Sequence, residues 1–146
     1  MGPAVLVPVE GARVWRGPQM AVRSDEWTYQ LSAEEIAELD AAVADIDSRA
    51  LGLLHITREG FPLPVLGKNL RCIQDDLHNG VGFAVLRGVP VERYDIRRAA
   101  IAYFGIGAHL GEAVSQNARV TRSAMFATSA SIQAFRRRAV TRARTS

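Results

Sequence analysis

The feature that most limits the possible folds of this chain is a short apolar run, residues 83–86, within the segment GVGFAVLRGVPV. A continuous apolar run of this length, bounded by glycines, is typical of a β-strand that is buried on both faces. Such a strand needs hydrogen-bonding partners along both of its edges. The run therefore predicts a central strand of a larger sheet, and other strands have to lie beside it.

The longest periodic segment before this run predicts a helix over residues 31–49. It begins with a capping box, in which the Ser32 side chain bonds the backbone N–H of Glu35 and the Glu35 carboxylate reaches back. The apolar stripe that follows consists of Ile36, Leu39, Val43 and Ile46. This stripe is expected to face a core.

Two more helices are predicted after the rigid connector EGFPLPVLG. The second helix ends at the Asn79-Gly80 pair, and Asp95 caps the third. Gly105 and Gly107 are expected to weaken the second half of the third helix. The core-facing residues are predicted to be Leu66, Leu70, Ile73 and Leu77 in the second helix, and Ile96, Ala100, Tyr103 and Leu110 in the third.

The remaining segments supply few strands. Residues 10–30 carry two tryptophans among glycine, proline and charged residues, which predicts an extended lead-in anchored by its aromatic rings. The segment EAVSQN, residues 112–117, is typical of the start of another strand. The prediction is an α+β chain with two or three helices and at most two strands, which is too few to surround a buried strand.

The charge of the chain changes after Asn117. Residues 118–146 contain seven arginines and no acidic residue, which leaves 11 of the 18 basic residues and all 15 acidic residues in residues 1–117. We therefore divide the chain into residues 1–117, which have the composition of a folded domain, and an arginine-rich tail, residues 118–146. The tail is expected to be disordered or to result from reading out of frame.

The cellular compartment is predicted from the cysteine content and from the N-terminal residues. Cys72 is the only cysteine, so no internal disulfide forms and a reducing compartment is expected. The first residues have no basic segment and contain Pro3 and Pro8, which excludes a signal peptide and a membrane span. We expect a cytoplasmic protein.

Catalytic or metal-binding motifs do not emerge from residue spacing. His55, His78 and His109 are not part of His-X-Asp, His-X-Glu or HExxH, and His109 is expected to be a helix-terminal or packed core imidazole. The glycine-rich GIGAHLG does not follow a strand, so it does not qualify as a phosphate loop. The acidic pairs Glu34-Glu35 and Asp75-Asp76 are predicted to lie on solvent-facing sides of their helices. No catalytic residue and no metal ligand is predicted in this chain.

Four segments nevertheless resemble the N-terminal third of proteins in the taurine dioxygenase (TauD/TfdA) family. They are VWRGPQM, WTYQLSAEEIAELDAAV, REGFPLPVLGKNLRCIQDDLHNGVGFAVLRGVPVERY and AAIAYFGIGAHLGEAVSQN. The resemblance covers roughly residues 12–117 and is most specific in GFAVLRGVPV and YFGIGAHLGEAVSQN. It implies the helical and first-strand portion of a double-stranded β-helix, or jelly-roll, fold that is incomplete in this chain.

The resemblance also implies a chemistry. Family members are Fe(II)- and 2-oxoglutarate-dependent oxygenases that act on small molecules, and a His-X-Asp pair with a distant histidine holds the iron. These ligands, and the arginine that binds 2-oxoglutarate, follow the position of Asn117 in family order. None of the family's cofactor ligands is therefore assigned to a residue of this chain. Only Gln116 and Asn117 remain as candidate pocket-lining residues.

Two classes of function follow. The first is a truncated or frameshifted dioxygenase that is inactive as this chain. The alternative is a small binding module whose tail, FRRRAVTRAR, holds nucleic acid or an anionic membrane through non-specific, salt-dependent contacts. A third possibility is a helical body that pairs with a separately made barrel. The oligomeric state and the substrate are not predicted.

Overall fold

The computed structural model describes residues 7–112. These residues form two compact units, one made of residues 7–38 and 63–89 and the other of residues 39–62 and 90–112. The predicted tail, residues 118–146, lies outside the described residues. So do the candidate pocket residues Gln116 and Asn117 and nearly all of the strand predicted in EAVSQN.

The described chain is mainly helical. In chain order, the elements are α1 (Gly17–Ala21), α2 (Ser24–Trp27), β1 (Thr28–Gln30), α3 (Ala33–Ser48), a 3-10 turn (Leu53–His55), α4 (Leu66–Asn79), β2 (Val85–Arg87) and α5 (Ile96–Leu110). This is a mixture of helices and two short strands, as expected for part of an α+β fold. None of the helices in residues 7–112 is long and apolar enough to span a membrane.

The two strands of the first unit run parallel to each other. Tyr29 pairs with Leu86, and the register continues on either side of this pair. The prediction that residues 83–86 form a strand buried on both faces is wrong, because the strand begins only at Val85 and that residue is 38% exposed. The reason is that Phe83 precedes the strand and packs against two tryptophan rings.

These tryptophans anchor the lead-in, as predicted. The ring centroids of Trp15 and Trp27 lie 5.0 and 5.5 Å from that of Phe83. Trp15 Nε1 donates a hydrogen bond to the carbonyl oxygen of Val81 at 3.1 Å, and Trp27 Nε1 donates to that of Met20 at 2.9 Å. Each ring therefore buries apolar surface while its N–H keeps a partner.

The prediction of an extended backbone throughout residues 10–30 is wrong, because this segment contains α1 and α2. Proline stands in the first turn of α1, where its missing N–H costs nothing and its fixed φ suits a helix. Asp25 and Glu26 stand in the first turn of α2, where negative charge is favourable. Local helix-start signals thus outweigh the glycine and proline content.

The predictions for α3 and α4 are confirmed. The capping box of α3 forms as expected, with the Ser32 N–H donating to Glu35 Oε2 at 2.8 Å and the Glu35 N–H donating to Ser32 Oγ at 3.2 Å. The helix α4 ends at Asn79, followed by Gly80. The buried apolar residues are Leu39, Ala42, Val43 and Ile46 in α3, and Leu66, Leu70 and Ile73 in α4. The predicted face residues Ile36 and Leu77 are half-buried.

The start of α5 is confirmed, and of its predicted core-facing residues Ile96, Ala100 and Leu110 are half-buried, whereas the prediction for Tyr103 is wrong. Asp95 caps the helix by accepting from the Arg98 N–H at 2.8 Å. Tyr103, assigned to the core by its apolar spacing, is 70% exposed. The buried residues of α5 are Ile101, Ala102, Gly105, Ile106 and His109. The helix turns this side inward because Gly105 allows a close approach to the Phe61 ring.

Candidate functional site

The best-defined polar site in the described residues surrounds the carboxylate of Glu35, which is 1% exposed. Its Oε1 atom accepts hydrogen bonds from Tyr29 Oη at 2.7 Å and from Asn69 Nδ2 at 2.6 Å. Its Oε2 atom accepts from the Ser32 N–H at 2.8 Å. We call these four residues the Glu35 cluster. It joins β1, the start of α3 and α4 within the first unit.

The prediction that both members of the Glu34-Glu35 pair face solvent is wrong for Glu35. Glu34 is exposed as expected, and so are Asp75 and Asp76. The capping box directs Glu35 back towards the helix start, and donors from β1 and α4 meet it there. The capping role was visible in the sequence. The burial depends on Tyr29 and Asn69, which no local spacing connects with Glu35.

The electrostatics of the cluster fix the protonation states. Burial by itself raises the pKa of the Glu35 carboxyl, but the hydrogen bonds from Ser32, Tyr29 and Asn69 outweigh it and the net pKa is lowered. Burial, followed by the hydrogen bond to Glu35, raises the pKa of Tyr29 to about 12. The carboxylate is therefore ionised and the phenol protonated near neutral pH. General acid–base catalysis favours a pKa near the working pH, so the cluster is suited to holding structure.

A second carboxylate of α3 caps α4. Glu38 Oε1 accepts from the Val65 N–H and Glu38 Oε2 accepts from the Leu66 N–H, each at 2.9 Å. These are N–H groups at the helix start that have no partner within the helix. The negative charge also interacts favourably with the helix dipole. Glu35 and Glu38 together tie α3 to α4, and the sequence analysis missed the second of these contacts.

The second unit carries polar contacts of its own. Tyr94 Oη donates to Asp40 Oδ1 at 2.5 Å, and Arg93 bonds the other oxygen of that carboxylate at 2.9 Å. Burial, followed by the bond to Asp40, raises the pKa of Tyr94 above its ordinary value. These groups hold one another in place, so their arrangement is that of a structural contact.

Two further arginines share one carboxylate in this unit. Asp47 accepts from Arg98 Nε at 3.0 Å and from Arg97 Nε at 2.8 Å. The bond from Arg98, followed by that from Arg97, lowers the pKa of Asp47. The side chains of Arg97 and Arg98 are 44% and 47% exposed, so each pair contributes little to the free energy of unfolding.

Each of the three histidines has its own surroundings. His109 is buried, and its Nε2 lies 2.7 Å from the carbonyl oxygen of Phe61, so this nitrogen carries the proton and donates. This confirms the packed core imidazole. His55 and His78 are exposed, and His78 Nδ1 contacts the Gln74 carbonyl at 2.7 Å.

The described residues do not fit an iron site. Nowhere between residues 7 and 112 do three His, Cys, Asp or Glu side chains group closely enough to hold a metal ion. Cys72 is an exposed free thiol on α4, and the Glu35 oxygens already accept three hydrogen bonds. No reaction step is derived through iron. The absence of cofactor ligands from the whole chain stays a prediction, because it also concerns residues outside this range.

Comparison with known proteins relates the chain to two curated proteins. It is 36% identical over 110 residues to FR-33289 synthase of Streptomyces rubellomurinus, a match that covers 75% of this chain and 32% of that protein. It is 33% identical over 97 residues to a taurine hydroxylase-like protein of Stachybotrys chartarum, covering 66% of this chain and 25% of that protein. No protein-family model matches the chain.

These matches support a relationship to TauD-like dioxygenases in coarse terms. The chain spans a third or less of the length of the relatives it matches. The relationship therefore applies to the matched segment, and the name of the second relative provides the link to taurine hydroxylases.

Proposed function

We propose that residues 1–117 are the N-terminal portion of a TauD/TfdA-like Fe(II)- and 2-oxoglutarate-dependent dioxygenase domain, and that residues 118–146 are a separate tail. The observation that carries this proposal is the 36% identity over 110 residues to a relative of which the match covers only 32%. A segment so similar to part of a longer protein is best explained as the corresponding part of a related domain. In this proposal, the double-stranded β-helix would be formed mainly by residues that correspond to the unmatched part of the relative.

The described residues have a scaffolding role in this proposal. The carboxylates of Glu35 and Glu38 connect α3 with β1 and with α4 and its first residues through four hydrogen bonds, and a fifth, from the Ser32 N–H, caps α3 itself. Carboxylates that accept several hydrogen bonds in this way hold the elements they connect in fixed positions. The scaffold presents β1 and β2 as the start of a sheet, with the reacting groups supplied by other residues.

We also propose that this chain does not catalyse the dioxygenase reaction by itself. Iron held by two histidines and one carboxylate is the usual arrangement for this chemistry. The sequence contains three histidines and no His-X-Asp motif. The buried histidine, His109, donates a hydrogen bond to the Phe61 carbonyl oxygen. The substrate of a complete relative would be a small molecule, as the family resemblance implies.

Anaerobic titration of the purified chain with Fe(II) and 2-oxoglutarate tests this proposal. An iron–oxoglutarate complex has a weak visible charge-transfer band, which a complete TauD/TfdA-like dioxygenase would show as the positive control. We expect no saturable band from this chain. A band that saturates at one equivalent of iron would show that the chain assembles its own centre, which contradicts the proposal.

A further inference from the structure

We draw no further inference here: the strongest candidate, the last turn of α5, where Arg58 Nη2 donates to the His109 carbonyl oxygen at 3.1 Å, carries nothing because the pocket-lining candidates that it would position lie outside the described residues.

Discussion

Gly105 of α5 stands directly against the ring of Phe61: a Cβ atom at position 105 would lie 2.4 Å from the ring carbons. Carbon atoms in contact are normally separated by about 3.5 to 4 Å, so no side chain fits there. Phe61 is fully buried, and its carbonyl oxygen also accepts the His109 hydrogen bond. A glycine in the middle of a helix thus sets which side of α5 is buried.

Replacement of this glycine by alanine should destabilise the protein. We expect Gly105→Ala to lower the free energy of unfolding by about 1 to 3 kcal/mol, because the methyl group must displace a packed ring. Gly107→Ala is the matched control, since a Cβ there meets nothing within 4 Å. It should raise stability by up to about 1 kcal/mol through helix propensity. Urea denaturation measures both, and equal effects of the two variants would contradict the role of the Phe61 contact.

The Glu35 cluster predicts that the same substitution at Glu34 and at Glu35 has different effects on the free energy of unfolding. Glu35→Gln replaces an oxygen that accepts hydrogen bonds by an NH₂ group, leaving buried donors without a partner. We expect a loss of about 1 to 3 kcal/mol in the free energy of unfolding at pH 7. Glu34→Gln, at the exposed adjacent position, should change it by less than about 0.5 kcal/mol. If urea unfolding gives the two variants the same stability, Glu35 is not the anchor described above.

The lowered pKa of Glu35 also predicts a pH dependence. A carboxyl group whose pKa is lower in the folded chain contributes stability above its unfolded pKa, and this contribution is lost as pH falls through the folded pKa. The ordinary value for Glu35 is 4.5, so the stability difference between the unaltered chain and Glu35→Gln should be constant near neutral pH and shrink below pH 4.5. Urea unfolding from pH 7 to pH 3 measures it. A difference that grows with acidification would show that the pKa is raised instead.

The raised pKa of Tyr29 predicts that its contribution to stability is lost at alkaline pH. A phenol with a raised folded pKa contributes stability below its unfolded pKa, and the contribution is lost as pH rises through the folded value, here about 12. The stability advantage of the unaltered chain over Tyr29→Phe should therefore be constant up to about pH 10 and decline above it. Comparing the two proteins in urea at pH 8 and pH 11 measures this decline, and an advantage that increases at pH 11 would argue against the assigned hydrogen bond.

Local signals in the sequence were sufficient for most helix boundaries. The Ser32 capping box and the Asp95 cap depend on residues three positions apart, and both form as predicted. The tryptophan anchors were also recognisable, because rings of this size in a polar segment need an apolar partner. What these features share is that the interacting groups are close in sequence or belong to residue types that require burial.

Long-range packing was not predictable in the same way. The buried side of α5 depends on Phe61, more than 40 residues earlier, and apolar spacing alone favoured Tyr103 instead. The burial of Glu35 depends on Asn69 in α4. The strand at β2 is shorter than predicted because Phe83 packs on the tryptophans. The candidate pocket residues, Gln116 and Asn117, lie outside the described residues and remain predictions.

We propose that residues 1–117 are the first part of a TauD/TfdA-like dioxygenase domain, and sequencing the gene beyond the Asn117 codon tests this proposal most directly. If the tail is read out of frame, one of the other two reading frames should continue with TauD/TfdA-like sequence. That frame should contain a His-X-Asp motif, followed later by a histidine and an arginine that complete the iron and 2-oxoglutarate sites. Finding no His-X-Asp motif in any frame downstream of Asn117 would contradict the account.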